Sequence, residues 1–127
     1  MGTHLIDSNA VIDYLTGNLP PNGMAFMDGL VNAVPQVSVI TQIEVLGYNA
    51  PPSAYQLLAD FMKDSEIIEL SEPVVNQTIA LRKLYKIKLP DSIIAATALV
   101  HELRLVSRNT SDFKNITGLT VIDPHTL

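Results

Sequence analysis

Short, β-branched apolar runs punctuated by polar or turn residues recur along the chain: THLI at 3–6, VSVI at 37–40, EIIEL at 66–70, RLVS at 104–107 and LTVI at 119–122. Runs of that length and composition predict strands. Between them the pattern turns helical. Residues 9–15 end just before Gly17, which suits a helix C-terminus, and Asn22 is placed to cap a segment running to about residue 32 before Pro35 resets the backbone. Ser53 is placed to cap a helix whose Tyr55, Leu57, Leu58, Phe61 and Met62 recur at helical spacing on one face. Ser71, with Pro73 near the first turn, opens another that runs through Tyr85. The last long helix, 91–103, is apolar on nearly every side, as suits an element packed between others. Strands alternating with helices predict an α/β fold: a central parallel sheet of four to five strands with helices on both faces. No repeat, low-complexity tract or linker interrupts the pattern, so 1–127 reads as one domain.

Composition narrows the classes. A chain of 127 residues is long enough to bury roughly two-thirds of its unfolded surface. With 47% hydrophobic and 17% charged residues it is not a disordered chain, and its longest apolar run, 93–100 broken by Thr97, is too short to span a membrane. Asp7 and Asp13 interrupt the only early apolar stretch, so export is not expected. The absence of cysteine removes disulfides and thiolate metal sites, fits a cytoplasmic protein, and leaves oxygen and imidazole as the only metal ligands. A net charge of −5 argues against nonspecific nucleic-acid binding through a basic surface. A nucleic-acid substrate would have to be held by local patches, a metal or a partner.

The candidate chemistry lies in acids that follow strands. In such sheets ligands bind beyond the carboxyl ends of the strands. Asp7 follows the first strand directly, Glu44 lies a helical turn after the second, and Ser107, Asn109 and Asp112 follow the fourth. Asp91, just after Pro90, opens the helix that feeds the fourth strand and is predicted to reach the same edge. Each acid also has a structural explanation. Asp7-Ser8-Asn9 suits a helix N-cap, Thr41 to Glu44 fits a capping box, Asp91 in a first turn complements the helix dipole, and Asp112 could cap a turn at 111–115. Four acids at one edge without basic partners would repel one another and call for a cation. All-oxygen ligands point to Mg²⁺ or Mn²⁺.

The stretches LIDSNAVIDYL, TQIEVLGY and KLPDSIIAATALVHELRLVSRNTSDFKNITGLTVIDP resemble, in order, the signature of PIN domains across nearly the whole chain. The likeness is to the small VapC-like toxin ribonucleases of bacterial toxin–antitoxin pairs. Its most specific parts are Leu89-Pro90-Asp91 running into IIAATAL, then RNTSDF. The resemblance implies a three-layer α/β/α fold and a Mg²⁺- or Mn²⁺-dependent endoribonuclease acting on RNA, with tRNA among the candidate substrates. It also implies a cognate antitoxin and a homodimer. The family's acids fall on Asp7, Glu44, Asp91 and Asp112. Ser107 and Asn109 are accessory positions, with Ser8, Asn9 and Thr41 in support. Ser92 stands where alanine is more usual, Ser107 where threonine is, and Asn109 where some relatives carry aspartate, which bears on how strongly a second metal is held.

Arg108 is the preferred phosphate contact. Arg82, Lys83, Lys86 and Lys88 are placed to steer an RNA backbone toward Asp91, with Tyr85 available to stack a base, or they form a solvated helix end. His4, His101 and His125 lack metal-ligand spacing, and His101 and His125 read as surface residues. Tyr14, Leu15, Met24, Phe26 and Met27 read as core, part of which would serve partner docking. A haloacid-dehalogenase-type phosphatase would need an aspartate at Asn9, and a receiver domain would need an acceptor aspartate after the third strand and a lysine after the fifth. Neither pattern is clear. A PIN domain that only binds RNA or protein is the remaining alternative.

Overall fold

The computed structural model describes residues 3–127. Among these, five short strands form a fully parallel sheet: β1 (His4–Ile6), β2 (Gln36–Ser38), β3 (Glu66–Ile68), β4 (Arg104–Val106) and β5 (Val121–Ile122), in the order β3-β2-β1-β4-β5. Successive side chains of a strand point to opposite faces, and β1 shows the consequence. Leu5 is buried with Leu105, Ile94 and Phe113, whereas Ile6 is buried with Val37, Val11 and Met27. Two cores therefore lie on the two faces. One is covered by α1 (Ser8–Leu15), α2 (Pro21–Asn32), α3 (Val39–Leu46) and α4 (Pro52–Lys63). The other is covered by α5 (Glu72–Leu84) and α6 (Leu89–Val100), together with Phe113 of α7 (Thr110–Phe113). This is the three-layer α/β/α arrangement. Tyr14, Leu15, Met24, Phe26 and Met27 belong to the first core, as expected.

Several boundaries depart from the pattern for identifiable reasons. The run VSVI stops being a strand at Ser38, whose Oγ accepts the Ile40 N–H at 3.0 Å and so caps α3 three residues before Thr41. Asn22 and Ser53 are not caps. Pro20 and Pro51 occupy the cap positions, and Pro21 and Pro52 open the helices because their fixed φ suits the first turn. Asn22 instead donates to the Leu127 carbonyl at 3.2 Å. Ser71 does stand at the cap of α5, without a side-chain cap bond. The last long helix begins at Leu89 and ends at Val100, where the chain turns into β4 through Glu102 at φ 55°. Ser92 to Ala98 are all buried, which matches its apolar circumference.

Sheet order sets the place of the site. The chain moves outward from β1 to β2 and β3, then crosses back to lay β4 on the other side of β1. The reversal falls between β1 and β4, where connections leave in opposite directions and open a crevice at the carboxyl ends. Among the described residues no helix is long and apolar enough to cross a membrane.

Candidate active site

The register of β1 and β4 pairs His4 with Arg104, Leu5 with Leu105 and Ile6 with Val106. One residue further along each strand, Asp7 and Ser107 come side by side at the crevice. Ser107 Oγ donates to Asp7 Oδ2 at 2.8 Å, and Asn9 Nδ2 donates to the same oxygen at 3.3 Å. Asp7 Oδ1 accepts the Ser8 N–H at 2.8 Å, so the residue also caps α1. Cap and site are different edges of one carboxylate. Asp7 is 4% exposed, and burial raises its carboxyl pKa to about 6. The bonds from Ser107 and Ser8 oppose that rise, and the charges of Asp91 and Glu44 add to it.

Glu44 does not close a capping box. Because α3 starts at Val39, Thr41 lies inside the helix, fully buried, and Glu44 projects from the second turn. Its Oε1 accepts a 2.6 Å bond from Ser8 Oγ, which lies 3.4 Å from Thr41 Oγ1. Asp112, exposed on α7, accepts from Asn109 Nδ2 at 2.6 Å, while the Asn109 N–H donates to Ser107 Oγ at 3.0 Å. Hydroxyls and amides thus tie three of the acids into one connected network: Glu44 through Ser8 to Asp7, then through Ser107 and Asn109 to Asp112. Asp91, in the first turn of α6, joins them electrostatically. Burial raises its pKa, the charges of Asp112 and Glu44 raise it further, and Lys88 opposes them. All four predicted acids and Ser8, Asn9, Thr41, Ser107 and Asn109 therefore meet at one edge.

The donor set is entirely oxygen, and its members destabilise one another's charge, which is the electrostatic condition a hard divalent cation relieves. Among the described residues no group of three or more His, Asp or Glu side chains is arranged to hold a metal ion by itself. Mg²⁺ commonly keeps several waters and uses only one or two carboxylates plus substrate phosphate, so the residues fit a hydrated ion.

Arg108 differs from expectation. Its Nη1 lies 3.1 and 3.3 Å from the two carboxylate oxygens of Asp13, and its N–H donates to Asn9 Oδ1 at 3.0 Å. His125 Nε2 lies 2.9 Å from Asp13 Oδ2. His125 is therefore half-buried and anchored, not a surface residue; His101 is exposed. Asp13 itself is buried, and its role was missed because its partners lie 95 and 112 residues away. Tyr85 is also committed elsewhere. Its hydroxyl accepts the Thr117 N–H at 3.2 Å while its ring packs on the core, so it is not free to stack a base. Lys86 and Lys88, by contrast, line a cavity together with Asp91 and Asp112.

Comparison with known proteins gives a consistent picture. The family described as PIN domain matches residues 4–119. A chain of a toxin-antitoxin complex from Klebsiella pneumoniae is 34% identical, with a TM-score of 0.74, over 96% of this chain and 98% of that one. A chain of DNA-bound VapBC from Salmonella typhimurium superposes with a TM-score of 0.80 at 22% identity, over 98% and 99%. One of FitAcB from Neisseria gonorrhoeae does so at 0.79 and 24%, over 98% and 100%. Those two likenesses bear on the fold alone. The search of curated proteins found no match.

Proposed function

The chain belongs to the PIN domain family, and from that premise we propose that it is a Mg²⁺- or Mn²⁺-dependent endoribonuclease, the toxin of a toxin–antitoxin pair neutralised by a cognate antitoxin. The observation that carries this reading is the convergence of Asp7, Glu44, Asp91 and Asp112, from four separate stretches, at the crevice between β1 and β4.

In this reading Asp7, Asp91 and Asp112 hold the metal directly or through water, with Glu44 as a further ligand or as the group that orients the attacking water. The bound ion supplies an acidified water and charge neutralisation at the phosphate. The chain's own residues set the geometry. Ser107 and Asn9 fix the Asp7 Oδ2 edge, Ser8 fixes Glu44, and Asn109 fixes Asp112. An antitoxin partner is supported by the toxin–antitoxin complex in which the 34% identical chain was solved. Exposed Ile43, Tyr48, Tyr55 and Leu57 leave apolar surface for that partner or for a second copy in a homodimer.

The test is cleavage of total RNA and tRNA by antitoxin-free protein, with Mg²⁺ or Mn²⁺ against EDTA, alongside Asp7→Asn and Asp91→Asn. Metal-dependent cutting that both variants lose is the expected result. A PIN domain that binds RNA or protein without cutting RNA is the alternative reading. Binding without metal-dependent cutting would decide for it.

A further inference from the structure

We propose that the cavity between the end of α5 and the start of α6 is a subsite for one unpaired ribonucleotide beside the scissile phosphate. The inference rests on the ribonuclease reading and adds to it where the substrate lies and in what form. The cavity has a volume of about 580 Å³ and is lined by Arg82, Lys86, Ile87, Lys88, Leu89, Asp91 and Asp112. That is within the roughly 300–1,000 Å³ range of small-ligand sites.

Its lining combines three chemistries. Arg82, Lys86 and Lys88 are three of only eight Lys and Arg residues in a chain of net charge −5, so cationic charge is concentrated here against the trend of the molecule. Ile87 and Leu89 supply an apolar surface, and Leu89 is 53% exposed. Asp91 and Asp112 belong to both the cavity wall and the acidic crevice. A ligand that uses all three features has an anionic group, a flat apolar face and a bond presented to the acids. A nucleotide has these, with its phosphate against the lysines and its base over Ile87 and Leu89. A base enters such a cavity only when it is out of its stack, which selects single-stranded or looped RNA over a continuous helix. Arg82 Nη1 donates to the Ile87 carbonyl at 3.2 Å, bracing the segment that carries both lysines. The other guanidinium N–H groups remain for phosphate.

The test separates binding from cutting. Asp7→Asn protein in Mg²⁺ is titrated with a fluorescein-labelled single-stranded RNA and with the same sequence as a continuous duplex, across a range of salt. Tighter binding of the single strand is expected. Lys86→Ala and Lys88→Ala in that background should each flatten the single-strand salt slope by about 0.7. Lys63→Ala, an exposed lysine away from the cavity, should not. Leu89→Glu, which places a carboxylate among the cavity's cations at a helix position that favours acids, should weaken single-strand binding about fivefold or more. Equal binding of strand and duplex, or unchanged slopes in both lysine variants, would overturn the subsite. If the active protein cuts no RNA while these binding differences persist, the nuclease reading has failed and the subsite stands.

Discussion

Asp7 combines two demands that pull in opposite directions. As the cap of α1 it stabilises a helix, and as a buried, nearly unexposed carboxylate among other acids it costs stability whenever it is charged. The sign follows from its pKa, which is raised from 3.8 to about 6. The penalty is fully present above pH 6 and is relieved as pH falls through 6 toward the unfolded value. At neutral pH it amounts to roughly 3 kcal/mol at most. Metal-free protein is therefore expected to gain stability from this group between pH 7 and 5 in EDTA melts, and Mg²⁺ should give its largest Tm increase at pH 7. Asp7→Asn keeps an oxygen for the Ser8 N–H and should flatten both responses without unfolding. A variant that unfolds would mean that the cap dominates. The sequence disclosed Asp7 as cap and candidate ligand together. It misled at Glu44, because two β-branched residues after Ser38 looked like strand and hid the true helix start. Val34 is a separate strain: a β-branched, exposed residue at φ 63°. Val34→Asn should stabilise by about 1 kcal/mol in denaturant titrations, since Asn accepts that conformation more readily.

The C-terminal segment and the loop after β4 are joined through α1. Asp13 takes both Arg108 and His125, and a Cβ on Gly23 of α2 would clash with the Pro124 carbonyl oxygen. Backbone stands in the way there, so Gly23→Ala must displace α2 or the tail. The expected result is a Tm lower by several degrees, with faster hydrogen exchange in 123–127. Arg108 is expected to be an anchor for this loop. Because its guanidinium already faces a buried carboxylate, Arg108→Ala should leave the salt slope of RNA binding unchanged while lowering stability. A flattened slope would return it to the substrate path. Helix α6 was plainly readable from its apolar circumference. The proline-led starts of α2 and α4 were not, because nearby Asn22 and Ser53 offered equally good local caps.

The parallel α/β architecture was legible because strand-like and helix-like periods alternate along the chain. Strand order was not. The adjacency of β1 and β4 joins residues 100 apart, and no local pattern states it. That adjacency nevertheless makes the site, since it brings Asp7 to Ser107 and, through Asn109, to Asp112. Lys86, Lys88 and Asp91 are neighbours in sequence, and only the fold brings Asp112 to the same cavity. The central claim is that acids from separate stretches act as one catalytic unit. Its most direct test is kcat/KM for RNA cleavage at saturating Mn²⁺ for the wild type, Asp7→Asn, Asp91→Asn and the double variant. Each single change is expected to cost on the order of a thousandfold and the double hardly more, because residues that act as a unit are not additive. Small single losses, or losses that multiply in the double variant, would contradict it.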